Sequence, residues 1–125
     1  MNLTTVRLLA PPLGLMLVNF GLSSIHGTAD QSGFLGFVPP ALQNLLHMPF
    51  YGLLVWLWYR SFRGFARPRV SAISLAVFIS IVWGALDELH QYFVPGRYAT
   101  LTDLGFDAAG VLIVAAILFR GDEQD

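Results

Sequence analysis

A chain of 125 residues that is 55% hydrophobic and 12% charged has too little polar surface for a water-soluble globule, where about a quarter of the residues carry charge. The net charge of −1 comes with no basic tract, which argues against nucleic acid as a partner, and the absence of cysteine excludes disulfides and thiol chemistry. A helix needs about 20 mostly apolar residues to cross the hydrocarbon layer. Four such spans joined by short loops use up the sequence, so a single membrane domain over 1–125 is expected.

The first apolar stretch covers about 6–25 and reads as a retained span, not a cleaved signal peptide. It has one positive residue (Arg7), a Pro11-Pro12 pair inside, and no small-x-small pattern at its end. With a start near Val6, both prolines fall in the first turns, where a missing N–H matters least. Gly27 to Pro40 is rich in Gly and Pro and reads as a loop. The second span, about 41–59, ends in Trp56, Trp58 and Tyr59, rings that favour the membrane–water interface. Arg60, Arg63, Arg67 and Arg69 follow in one short loop. The third span covers about 70–93, Pro95-Gly96 makes a turn, and the fourth covers about 101–119 before Arg120 and the acidic Asp122, Glu123 and Asp125. The expected fold is therefore all-α, an integral membrane bundle of four transmembrane helices.

Arginine-rich short loops stay in the cytoplasm. Four of the seven arginines lie between spans two and three, with Arg7 and Arg120 near the two ends. Both termini are thus expected to be cytoplasmic, and the loops joining spans one to two and three to four to face outward.

Each span carries one polar stripe, because residues three, four and seven apart share a helix face. The stripes are Asn19, Ser23 and His26; Asn44, His47 and Tyr51; Ser80, Gly84, Asp87, Glu88 and Gln91; and Thr100, Asp103, Asp107 and Gly110. Each is richest toward the outer end. A carboxylate facing lipid costs several kcal/mol, about 2.5–3.5 on insertion scales, so the stripes should face one another. That gives an outward pocket lined by His47, Asp87, Glu88, Gln91, Asp103 and Asp107, with Arg97 above it and Asn44, Tyr51 and Thr100 as secondary contributors. Simpler roles exist for some of these: His47, His26 and His90 as interfacial side chains, Asp103 as a helix N-terminal charge, Arg97 as a solvated turn residue. Asp87 beside Glu88, and Asp107 a full turn inside its span, are too costly to be explained by packing alone.

The run Glu88-Leu-His-Gln91-Tyr-Phe-Val-Pro95-Gly96-Arg97, followed by Thr100, Asp103, Asp107 and Gly110, resembles the signature of the VanZ-like membrane proteins. That signature is roughly E-x-x-Q-x-F-x-P-G-R, then S/T-x-x-D-x-x-x-N-x-x-G. Asn44, His47 and Tyr51 are similar to the family's K-x-x-H-F-x-x-Y motif, and Ser23-Ser24 to another common feature. The resemblance covers nearly the whole chain. Asn44 stands where the family has Lys and Asp107 where it has Asn, so this pocket is more acidic. The family's namesake is associated with resistance to teicoplanin, a glycopeptide antibiotic.

The resemblance implies a multi-pass protein of the bacterial cytoplasmic membrane. Three functions compete. The first is a non-enzymatic envelope protein whose outward pocket binds an amphiphile or lipid headgroup through Arg97, with membrane lipids, a cell-wall precursor or a glycopeptide as candidates. The second is an intramembrane hydrolase acting on a lipid-linked phosphate with a divalent cation held by Glu88, Asp103 and His47. The Glu88-to-Arg97 run is also loosely similar to motifs of undecaprenyl-pyrophosphate phosphatases. Asp87 and Glu88 point about 100° apart, so one ion cannot readily take both. The third is a purely structural network of mutually satisfied charges, or a scaffold for a partner.

Overall fold

A computed structural model describes residues 2–24, 40–96 and 101–121, with side chains in the second stretch from Leu45 onward. Among these residues the chain forms four helices and no strand: α1 (Leu3–Ser23), α2 (Pro40–Gly64), α3 (Arg69–Tyr92) and α4 (Leu101–Arg120). By length and composition α1, α3 and α4 can each cross a membrane. At 25 residues α2 is about 37 Å long, enough for the same distance. It is less apolar because it packs against all three other helices, so much of its surface meets protein.

The exterior is hydrophobic and the interior polar. Leu17, Phe78, Leu86, Leu89, Leu112, Ile113 and Ile117 lie exposed, while Ser23, Ser61, Ser80, Asp87, Glu88, Gln91, Asp103 and Asp107 are buried. A water-soluble protein inverts this arrangement. A core of Tyr51, Leu54, Val55, Trp58, Ala76 and Val111 joins α2, α3 and α4.

The helix ends explain themselves locally. Asn2 caps α1 by accepting from the Thr5 backbone N–H at 2.8 Å, so the helix begins earlier than hydropathy suggests. Pro11 and Pro12 are consequently the ninth and tenth helical residues and not part of the first turns. Each withholds a donor from the carbonyl four residues back. The carbonyl left over by Pro12 is that of Leu8, and the buried Ser61 hydroxyl of α2 lies 2.6 Å from it. One prolyl defect in α1 thereby becomes a tie to α2. The C-terminus of α2 closes with Arg67 N–H donating to Phe62 O and Ala66 N–H to Arg63 O, around an Ala66 at φ 57°. Arg69 then reaches across to the Leu118 carbonyl in the last turn of α4, fixing the two helices at that end.

Because successive helices alternate in direction, α2 and α4 run parallel. Their contact is set by glycine. A Cβ on Gly110 would land on the backbone of Met48, with the carbonyl oxygen nearest and Cα and C at 2.9 Å. Gly52 lies on the same seam, opposite Val114 and the Gly110 carbonyl. This backbone-to-backbone approach sets the relative height of α2 and α4, and with it which polar side chains meet.

Candidate functional site

One end of the bundle carries arginines and the other carboxylates. Arg60, Arg63, Arg67, Arg69 and Arg120 sit at the α2–α3 connection and the end of α4, and Arg7 near the start of α1. Asp87, Glu88, Asp103 and Asp107 lie toward the opposite end, at the C-terminus of α3 and the N-terminus of α4.

At that end the α2–α4 seam places His47 against Asp107, ring Nδ1 to Oδ1, at 2.8 Å. Asp107 is 2% exposed and its second oxygen has no hydrogen-bond partner among the described residues. Gly84 of α3 leaves the space for it: a Cβ there would stand 3.3 Å from the Tyr51 ring and 3.4 Å from Asp107 Oδ2. Tyr51, one turn below His47, is 1% exposed.

Glu88 completes the cluster from α3. It is 7% exposed, and neither carboxylate oxygen has a hydrogen-bond partner among the described residues. One ligand atom each from His47, Glu88 and Asp107 lie within 4.8 Å of one another. The trio named from sequence for a cation was Glu88, Asp103 and His47; the ligand atoms that lie together belong to His47, Glu88 and Asp107. The two aspartates are one turn apart on α4, and the depth of the Gly110–Met48 contact selects the inner one. Asp103 remains buried, near enough to act electrostatically on both His47 and Glu88.

The adjacent Asp87 turns away toward α1, as the 100° between neighbours on a helix requires. Its Oδ2 accepts from Gln91 Nε2 at 3.0 Å, and the same amide lies 3.5 Å from the Ser23 hydroxyl. His90, one turn from Leu86 and open to interfacial reading, is docked on α1. Its ring stacks on Phe20 with centroids 4.5 Å apart, and its Nε2 lies 3.0 Å from the Ser24 hydroxyl. The polar end therefore has two parts: a His47–Glu88–Asp107 centre between α2, α3 and α4, and an Asp87–Gln91–Ser23 link between α3 and α1. Arg97, Thr100 and His26 lie outside the described residues, as does the side chain of Asn44.

One feature of this end was not read from the sequence. Between α2 and α4 runs a groove of about 570 Å³, lined by Met48, Pro49, Gly52, Leu53, Trp56, Gly110, Ile113, Val114 and Ile117. It lies along the close contact that Gly52 and Gly110 permit between the two helices. Its upper end, at Met48 and Gly110, is one residue from His47 and one turn from Asp107. Only long-range packing shows it.

No curated protein and no solved structure matches the chain. A family model described as VanZ/LLP1 matches residues 5–120. With nearly the whole of all four helices inside that match and Glu88, Gln91, Asp103 and Asp107 buried toward one end of the bundle, the chain belongs to the VanZ/LLP1 family and is a helical membrane protein.

Proposed function

We propose that this protein binds an amphiphile of the cell envelope, with the headgroup at the polar end of the bundle and one alkyl chain in the α2–α4 groove. The observation that carries this reading is the apolar groove itself, whose upper residues Met48 and Gly110 lie close in sequence to His47 on α2 and Asp107 on α4. The groove runs from Met48 to Trp56 along α2, about 12 Å at 1.5 Å per residue. That is close to one leaflet of a hydrocarbon core about 30 Å thick. Its volume is in the range of ordinary ligand pockets, about 300–1,000 Å³. Arg97, placed by sequence just beyond α3, is assigned to the headgroup's phosphate or carboxylate. A lipid-linked wall precursor or a glycopeptide is the ligand class that the family's association favours.

In this reading the arginine end is cytoplasmic and the polar end opens outward, which places the ligand in the outer leaflet of a bacterial cytoplasmic membrane. A single cysteine introduced at Gly33 should then react with an impermeant thiol reagent added from outside. Labelling from the cytoplasmic side alone would reverse the orientation.

Binding is tested by native mass spectrometry of the full chain in mild detergent, offered undecaprenyl phosphate, phosphatidylglycerol or an uncharged diacylglycerol. The wild type should retain an anionic lipid in preference to the diacylglycerol. Ile113→Trp, which fills the groove from a half-exposed position, should lower that retention several-fold. Equal retention of all three lipids, or retention indifferent to Ile113→Trp, would remove the groove and the headgroup from the function.

A further inference from the structure

Two observations at the polar end are unexplained by amphiphile binding alone. Glu88 is more than nine-tenths buried with both carboxylate oxygens lacking a hydrogen-bond partner among the described residues, and Asp107 holds a third such oxygen. Buried carboxylates are normally hydrogen-bonded or bound to a cation, because desolvation of a charge without compensation is strongly unfavourable. The only cationic or potentially cationic side chain described near them is His47, already engaged with Asp107 at 2.8 Å.

We propose that His47, Glu88 and Asp107 form a binding site for one divalent first-row transition ion of the Zn²⁺ or Mn²⁺ class. Geometry supports it. Ligand atoms no more than 4.8 Å apart leave a central point no more than about 2.8 Å from each, and Zn–N and Zn–O bonds of about 2.0–2.2 Å are reached by side-chain rotations of under an ångström. Charge supports it as well: two carboxylates and a neutral imidazole carry −2, which a divalent ion cancels. The donor set selects the class. An imidazole with two carboxylates suits Zn²⁺, Mn²⁺ or Fe²⁺, whereas Mg²⁺ and Ca²⁺ prefer oxygen alone. The three ligands come from three different helices, so the ion also ties α2, α3 and α4 together at the end opposite the Arg69–Leu118 contact. Three protein ligands leave a coordination position open. On the amphiphile reading above, a phosphate or carboxylate oxygen of the headgroup takes that position, which lets an acidic site hold an anionic lipid.

The test uses the full chain, stripped with EDTA in lipid-free detergent and titrated with Co²⁺ as a visible probe. One Co²⁺ per chain should bind, with a d–d absorption band that added Zn²⁺ abolishes by displacement. Glu88→Gln and Asp107→Asn should each weaken binding by roughly tenfold or more, since even the loss of a group behind a metal ligand costs about 10–100-fold. Asp107→Asn restores the residue found in the VanZ-like signature, so it is compatible with folding, and unchanged helical circular dichroism will verify this. Asp87→Asn, on the face turned to Gln91, should leave Co²⁺ binding intact. Binding no tighter in the wild type than in the Glu88→Gln, Asp107→Asn double variant overturns the site. So does an equal loss on Asp87→Asn, which would reduce the effect to general acidity. Lipid retention, measured separately, distinguishes the two proposals: Co²⁺ bound with no lipid retained upholds the ion site and overturns the amphiphile reading, and the converse does the opposite.

Discussion

Gly110→Ala should be among the most damaging single-methyl changes in this protein. An added Cβ meets the Met48 backbone, with the carbonyl oxygen nearest and two carbons at 2.9 Å, and backbone cannot rotate aside as a side chain can. The helices must separate locally, which opens the tightest contact in the bundle and moves Asp107 relative to His47. Overpacking of a well-packed interior costs about 1–3 kcal/mol and occasionally more. A Gly→Ala change inside a helix returns about 1 kcal/mol of propensity, and a net loss of up to about 2 kcal/mol is expected to survive it. The measurement is thermal or denaturant unfolding in detergent, compared with Gly14→Ala and Gly105→Ala, where nothing lies within 4 Å of the added methyl. Those two should be neutral or stabilising by up to about 1 kcal/mol. Gly52→Ala should fall between, because its nearest neighbour at 2.8 Å is the end of the Val114 side chain, which can move. A Gly110→Ala protein that unfolds together with the wild type would mean that the α2–α4 contact does not set the spacing of the bundle.

That seam also explains what the sequence could and could not reveal. The third and fourth helices are found within a residue of their expected ends, because arginines, Pro95-Gly96 and long apolar runs mark them unambiguously. The second helix extends five residues beyond the expected Tyr59, to Gly64. Hydropathy reports where lipid ends, while backbone hydrogen bonding carries the helix on through Arg60 and Arg63 into the interface. The first begins at Leu3 for the complementary reason, a side-chain cap that hydropathy does not see. The inward-facing polar stripes were legible from the 100° turn alone. Their pairing across helices was not. Periodicity fixes a residue's face but says nothing of how far one helix slides along another, and a slide of one turn exchanges Asp103 for Asp107 beside His47. The Gly110–Met48 approach decides that slide.

The His47–Asp107 pair gives the second large effect, and it separates a structural lock from a site maintained for binding. In EDTA, so that no ion contributes, His47→Leu leaves the Asp107 carboxylate buried with its only described hydrogen-bond contact gone. Removing one partner of a buried ion pair costs about 3–5 kcal/mol. Asp107→Leu is expected to cost less, about 1–3 kcal/mol, because the His47 side chain is 27% exposed and its ring can be solvated from outside. The double change His47→Leu, Asp107→Leu removes both polar groups at once and should be more stable than His47→Leu alone. Well-packed apolar residues often match or exceed the buried pair that they replace. Denaturant unfolding of the four proteins closes the cycle, and contacting residues of this kind couple by about 0.5–3 kcal/mol. If the double variant instead loses the sum of the two single losses, the pair is not energetically coupled and the 2.8 Å contact carries no weight. If it recovers as expected, stability alone gives no reason to keep a histidine and an aspartate there. Their presence then has to be explained by what they bind, and the double variant, folded but without two of its three ligands, becomes the blank against which ion and lipid retention are read.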